Sequence, residues 1–210
     1  VKVNFKLIAA LAAGLLSAAP AFSAAVTLDF EGASSFASIA DFYNGGTDTE
    51  GASGSNYGVL FGGDALALSN DQDFTYFSNA PTPGSILAPV GPDAALNAAS
   101  GFAGTVSFYY STAAAATVSI FSGLDGTGDL LGTFSLLTNA QNGCGDASYC
   151  HWDLASLTFA GVARSIQFGT AAGAGFDNVT IAPVPLPAAV WLLLSGLTGF
   201  GTLARRKRNV

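Results

Sequence analysis

Short runs of alternating apolar and polar residues, cut by Gly, Asn, Asp and Pro, fill the chain from Val26 to Ile181. "VTLDF" puts Val26, Leu28 and Phe30 on one face and Thr27 and Asp29 on the other. In "GTVSFYYS" the residues Val106, Phe108 and Tyr110 alternate in the same way, and "ATVSIF" repeats the pattern with Val118 and Ile120. "LLGTFSLL", "SLTFAG", "RSIQFG" and "GFDNVTI" follow in order. Period-two alternation bounded by turn formers marks half-buried strands. Strands of this kind bury one face of each sheet against another sheet, so the expected fold is all-β, an antiparallel β-sandwich. "SGLDGTGDLL" predicts a hairpin turn in which Gly126 and Gly128 take positive φ. The stretch from Asp41 to Pro92 is looser. It predicts strands at Tyr57 to Phe61 and Ala65 to Leu68, a helical turn at Phe36 to Tyr43, and a mobile loop at Asn79 to Gly84.

The two ends break this pattern. Lys2 and Lys6, an apolar stretch from Leu7 to Leu16 and a small-residue run to Ala25 have the three-part layout of a secretory signal peptide, removed by signal peptidase. At the other end, Ala188 to Ala204 is an uncharged apolar run preceded by Pro183, Pro185 and Pro187 and closed by Arg205, Arg206, Lys207 and Arg208. It is at the short limit for a helix that crosses hydrocarbon, and its basic end belongs on the cytoplasmic side. The expected organisation is a signal peptide over 1–24, a sandwich over 25–182 and a sorting segment over 183–210.

Charge narrows the partners. Between Val26 and Pro183 a single base, Arg164, stands against fourteen carboxylates, a net charge of −13. Such a body repels polyanions, so nucleic acid is excluded as a partner. It suits a secreted surface or one that recruits cations. Cys144 and Cys150 bracket "GDASY", and in an oxidising compartment two thiols this close pair as a disulfide. A loop so short gains on the order of 2–3 kcal/mol at best, enough to pin the loop rather than to hold a fold. A metal site built from both cysteines and His151 is the other reading, short of the usual ligand count.

Candidate chemistry is sparse. His151 is the only imidazole, and neither a G-x-S-x-G elbow nor an H-E-x-x-H helix occurs. Paired carboxylates acting on a glycosidic bond are the enzymatic possibility. A cation site is the other use of the acids. Asp29 and Glu31 end the first strand, while Asp177 shares the inward parity of Val179 and Ile181. An inward carboxylate must be hydrogen-bonded, protonated or metal-bound. Two readings stand open: Ca²⁺ shared by Glu31 and Asp177, with Asp29 as a further ligand, or Asp177 capping a turn through backbone N–H groups. Asp125 and Asp129 in "DGTGD" divide in the same way between a cation loop and a plain turn. Tyr43, Tyr57, Tyr76, Tyr109, Tyr149 and Trp152 lie in or near loops or on the outer face. They can stack on a sugar ring or fill the core.

"VPLPAAVWLLLSGLTGFGTLARRKR" resembles the sorting signal of PEP-CTERM proteins. Val184, Pro185, Leu186 and Pro187 form the short motif, with Leu186 where the name-giving motif has Glu. The resemblance implies transient anchoring in the membrane of a Gram-negative bacterium and processing near the motif by an exosortase, a membrane-embedded cysteine protease. It then implies release to the cell surface or the extracellular space. The "LDFEG" start and "FDNVTI" finish resemble secreted jelly-roll domains of carbohydrate-binding type. That likeness implies a jelly-roll-like sandwich with structural Ca²⁺ at Glu31 and Asp177, and Asp29 beside them. The expected protein is an exported, non-enzymatic component of the cell surface or matrix associated with exopolysaccharide. The alternative is a secreted polysaccharide hydrolase.

Overall fold

The structure is a computed structural model that describes residues 24–70 and 76–184. The expected signal segment and Pro185, Leu186, Pro187, Arg205, Arg206, Lys207 and Arg208 of the sorting signal lie outside the described residues. Nine strands follow one another: β1 Val26–Leu28, β2 Val59–Phe61, β3 Ala65–Ser69, β4 Ser85–Pro89, β5 Ala95–Thr112, β6 Ala116–Phe121, β7 Leu130–Leu136, β8 Asp153–Gln167 and β9 Ala174–Ile181. Among the described residues the one helical feature is a 3-10 turn at Gly169–Ala171. None of their helices is long and apolar enough to cross a membrane. Every ladder is antiparallel, in the order β3-β4-β9-β5-β8-β6-β7, with β1 on β9 and β2 on β5. The all-β antiparallel sandwich expected from the alternation is what the chain adopts.

The long strands β5 and β8 make the two layers. Thr105 to Tyr110 pairs with Thr158 to Asp153, and Ser107 to Thr112 of β5 pairs on its other side with β9. At the opposite ends Ala95 to Asn97 still pairs with Gln167 to Ser165, but the outer neighbours there are β2, on Leu96 to Ala98, and β6, on Ser165 to Gln167. Between them the register shifts twice, between Asn97 and Phe102 and again between Ala103 and Gly104. Gly101, Gly104 and Gly161 sit in this stretch at φ of 81°, 86° and 92°, which side-chain-bearing residues resist. Each strand thus crosses from one layer to the other, and "SLTFAG" and "RSIQFG" fuse into a single bent β8 instead of two strands.

Between the layers lies an aromatic core. Phe108 of β5 meets Phe134 of β7 at 4.5 Å, Phe176 of β9 at 5.3 Å and Phe168 at 6.0 Å between ring centres. Leu28 of β1 and Phe30 just beyond it are fully buried, as are Val106, Val118, Ile120, Val179 and Ile181. A second, smaller cluster of Phe77, Ile86, Ala88, Ala140 and Tyr149 covers the other face of β4, with Trp152 packed against it. Gly175 of β9 makes room for this layer, because a Cβ there would stand 2.5 Å from the Phe77 ring and 2.9 Å from that of Trp152.

Three local expectations change. Phe36 to Tyr43 forms consecutive turns instead of a helical turn, with Ser38 bridged to Leu66. Asn79 to Gly84 is tied down instead of loose. Ala80 N donates to Asn70 Oδ1, Thr82 is bonded to Asp177, and Gly84 N donates to Glu31 Oε1 at 2.7 Å. The "SGLDGTGDLL" hairpin is present, with Gly126 and Gly128 at φ of 67° and 80°. Asp125 there is engaged by Asn97, whose Nδ2 donates to it at 2.7 Å, so this loop is a turn that clips β5.

Candidate functional site

Asp177, Glu31 and Asp29 are brought together, because β1 pairs directly with β9. Asp177 is 0 % exposed, but not through the parity expected from Val179 and Ile181. It pairs with Tyr109 on the face opposite Phe108 and Phe176, because the register shifts between Ser107 and Tyr109 with Asn178 at φ 52°, and the 79–84 loop covers it there. Thr82 N donates to its Oδ2 at 2.8 Å, Thr82 Oγ1 donates at 2.9 Å, and Asn178 N donates to Oδ1 at 2.7 Å. Burial pushes its pKa up to about 6 against these hydrogen bonds, and the nearby charge of Glu31 adds to the rise. Glu31 Oε1 accepts Gly84 N, and Asp29 Oδ1 accepts Glu31 N and the hydroxyl of Tyr43 at 3.2 Å each. That phenol, raised well above its ordinary range by burial and by Asp29, stays protonated and also accepts Phe30 N. The carboxylates accept backbone N–H groups here, as a turn-capping Asp177 does. They pin the 79–84 loop to the first and last strands.

Cys144 and Cys150 form a disulfide. Both sulfurs are thus withdrawn from metal ligation, although with Asp146 they form the one tight group of potential ligands among the described residues. His151 pairs with Asp153, Nε2 to Oδ1 at 3.2 Å.

The site suited to a ligand lies elsewhere. A cavity of about 410 Å³ is lined by Ser35, Phe36, Leu68, Ser69, Tyr76 and Phe77. None of these described lining residues carries a carboxylate or imidazole, so they supply no acid pair for hydrolysis. The end of β3 supplies Leu68 and Ser69, and Ser69 N donates to Ser35 Oγ at 3.2 Å. Phe36 N donates to Ala67 O at 2.7 Å, which fixes the turn against β3. Phe36 nevertheless has φ +66° and leaves its ring 75 % exposed. Positive φ is costly for a bulky residue, and an exposed ring recovers little of that cost by burial. Tyr76 is 53 % exposed and stands on Phe77 and Tyr149, with ring centres at 5.1 and 5.2 Å.

Of the aromatic candidates, Tyr76 is the one the structure places on this cavity. Tyr43 and Tyr149 are buried, Tyr57 stacks on Tyr43 at 6.0 Å, and Trp152 is half-buried packing. Phe36 was not a candidate from the sequence. Its signal would have been a bulky ring inside a turn-rich segment, which looks the same as core filling until burial is known.

No family model and no curated protein matches the chain. Solved structures do. A crystallised family 6 carbohydrate-binding module aligns at TM-score 0.39 and 15% identity, over 60% of this chain and 92% of that one. The C-terminal CBM6 of LamC from Zobellia galactanivorans aligns at 0.37 and 14%, over 59% and 91%. A family 43 arabinoxylan arabinofuranohydrolase from Bacillus subtilis aligns at 0.40 and 14%, over 65% of this chain and 31% of the enzyme. All of these scores lie below 0.5. Function has to be read from this chain's own side chains.

Proposed function

We propose that this is a non-catalytic glycan-binding protein working outside the cell, which holds a neutral polysaccharide by stacking sugar rings on Phe36 and Tyr76. The observation that supports it is Phe36, a ring held in solvent on a strained backbone at the edge of an apolar cavity. Strain retained without a packing gain points to use. Sugar rings offer an apolar C–H face to such aromatics, and the Ser35 and Ser69 hydroxyls suit the sugar's own. The acidic body selects against uronic or sulfated chains, which carry the same sign of charge. Calorimetric titration with neutral glucans and xylans, against alginate, tests this. Phe36→Ala and Tyr76→Ala are each expected to weaken neutral-glycan binding about tenfold or more. A wild-type protein that binds no neutral glycan, or variants that bind like it, would overturn the reading.

Delivery follows from the tail in this proposal. Val184, first residue of the sorting motif, donates its N–H to Gly101 O at 2.9 Å, so the motif begins at the edge of the sandwich. Exosortase processing near Val184 to Pro187 and signal-peptide removal near Ala25 would leave the sandwich at the surface. Intact-mass measurement of the surface-released protein checks both ends. A mass that retains Arg205 to Arg208 would sink the processing step.

Calcium at Glu31, Asp177 and Asp29 has a signed test. Without an ion, Asp177 titrates near 6 when folded and near 3.8 when unfolded, so the folded state binds more protons between those values. Stability should then fall as pH rises from about 4 to about 6. Bound Ca²⁺ would supply positive charge beside these carboxylates and lower the folded pKa, removing the fall in that window. Urea unfolding across that window, with Ca²⁺ and with chelator, reads the sign. Identical falling slopes in both would remove calcium.

A further inference from the structure

The segment that carries Tyr76 and Phe77 belongs to no strand of the sandwich. Its polar groups are held by the loop that the disulfide closes. Tyr149 N donates to Tyr76 O at 2.8 Å and Ser78 N donates to Tyr149 O at 3.0 Å, a parallel bridge between Phe77 and Tyr149. Ser78 Oγ and Asn79 Nδ2 donate to Asp146 Oδ2 at 3.0 and 2.9 Å. Just past the disulfide, Trp152 Nε1 donates to Ser78 O at 2.8 Å. The Tyr149 ring completes the contact, 4.8 Å from that of Phe77 and 5.2 Å from that of Tyr76. The loop in turn is fixed by the Cys144–Cys150 bond and by Cys150 N donating to Ala140 O at 2.8 Å.

A line of contacts thus runs from the disulfide through Cys150 and Tyr149 to the exposed ring of Tyr76. We propose that the Cys144–Cys150 disulfide is a positioning device for the cavity, so that the Tyr76–Phe77 wall is set, and glycan held, only in the oxidised protein. This rests on the glycan reading of the cavity. The physical cause is the sequence of the loop, "NGCGDASYC", whose small and Gly residues bring little apolar area of their own. Ordering each residue of such a loop costs about 1–2 kcal/mol, and the cross-link removes part of that cost from the folding of the wall. Opening it takes two electrons and two protons from a dithiol such as dithiothreitol, which closes to its own cyclic disulfide and leaves two thiols on the protein. The cavity would then be completed only in an oxidising compartment.

The test compares the full chain oxidised, reduced with dithiothreitol, and as the Cys144→Ser/Cys150→Ser variant. Amide exchange is read without ligand, and affinity is read with a soluble neutral β-glucan. On reduction, protection of the Ser78 and Tyr149 amides should fall about tenfold or more while that of β5 and β9 holds. Affinity should fall about tenfold or more, and reoxidation should restore both in the wild type. Unchanged protection in a protein shown to carry two free thiols would overturn the proposal. So would an equal loss in β5 and β9, which would make the bond a general staple. Unchanged affinity with lowered protection would also overturn it. If the oxidised protein binds no glycan, the glycan reading fails, and the exchange result still decides whether the disulfide positions the wall.

Discussion

Phe36 pays twice for its position, once in backbone strain and once in an apolar ring left in water. Asn tolerates the left-handed region far better than Phe, because its short side chain bonds locally. Phe36→Asn should therefore raise stability by about 1 kcal/mol in urea unfolding while weakening glycan binding about tenfold or more. A variant that is destabilised and binds normally would show that the ring serves packing. Asp177 is the opposite case, a side chain whose identity is fixed by the fold. Asp177→Ala leaves Thr82 N and Asn178 N without their acceptor and should cost about 3 kcal/mol or more. It should also flatten the fall in stability between about pH 4 and about pH 6, measured by the same unfolding series. A slope unchanged by the substitution would assign that pH dependence to another group.

At the scale of elements, the sequence was readable wherever one face of a strand meets solvent. β1, β6 and β7 stand where the alternation places them. β9 lies where it was expected, but a bulge at Asn178, φ 52°, breaks its period, so Phe176 shares the core side with Val179 and Ile181. β4 was missed because all five residues of Ser85–Pro89 are buried. Leu87 faces the main core, while Ile86 and Ala88 face the second cluster, so no polar position marks the period. The bend of β5 and β8 was hidden for a different reason. A bulge is set by pairing between residues far apart in the chain, and its glycines look like turn residues when read alone. Gly101→Ala tests the bend, since a Cβ there meets Val162 at 2.5 Å and Ala163 O at 3.0 Å with φ at +81°. It should cost about 2 kcal/mol or more in urea unfolding. A loss below about 0.5 kcal/mol would mean that the crossing adapts without glycine.

Across the whole molecule, charge acts as a field rather than as pairs. Among the described residues the one contact of a basic side chain with a carboxylate is the His151–Asp153 hydrogen bond, so most carboxylates repel one another with nothing opposite them. Salt should therefore stabilise the domain. Raising ionic strength from about 0.01 M to about 1 M shortens the screening length from about 30 Å to about 3 Å, and Tm should rise over that range. A Tm that falls would point to attractive pairs that salt breaks.

Local chemistry was enough to determine the all-β class, the acidic surface and the pairing of Cys144 with Cys150. Each of these depends on neighbours in the chain, on a simple count of charges, or on the two-residue period of a strand. Which donors satisfy Asp177, what the disulfide loop holds and which rings stay in water depend on contacts between distant segments. Thr82, Ser78 and Phe36 carry no sequence mark of those roles, because burial and partners exist only once β1, β4 and β9 have come together.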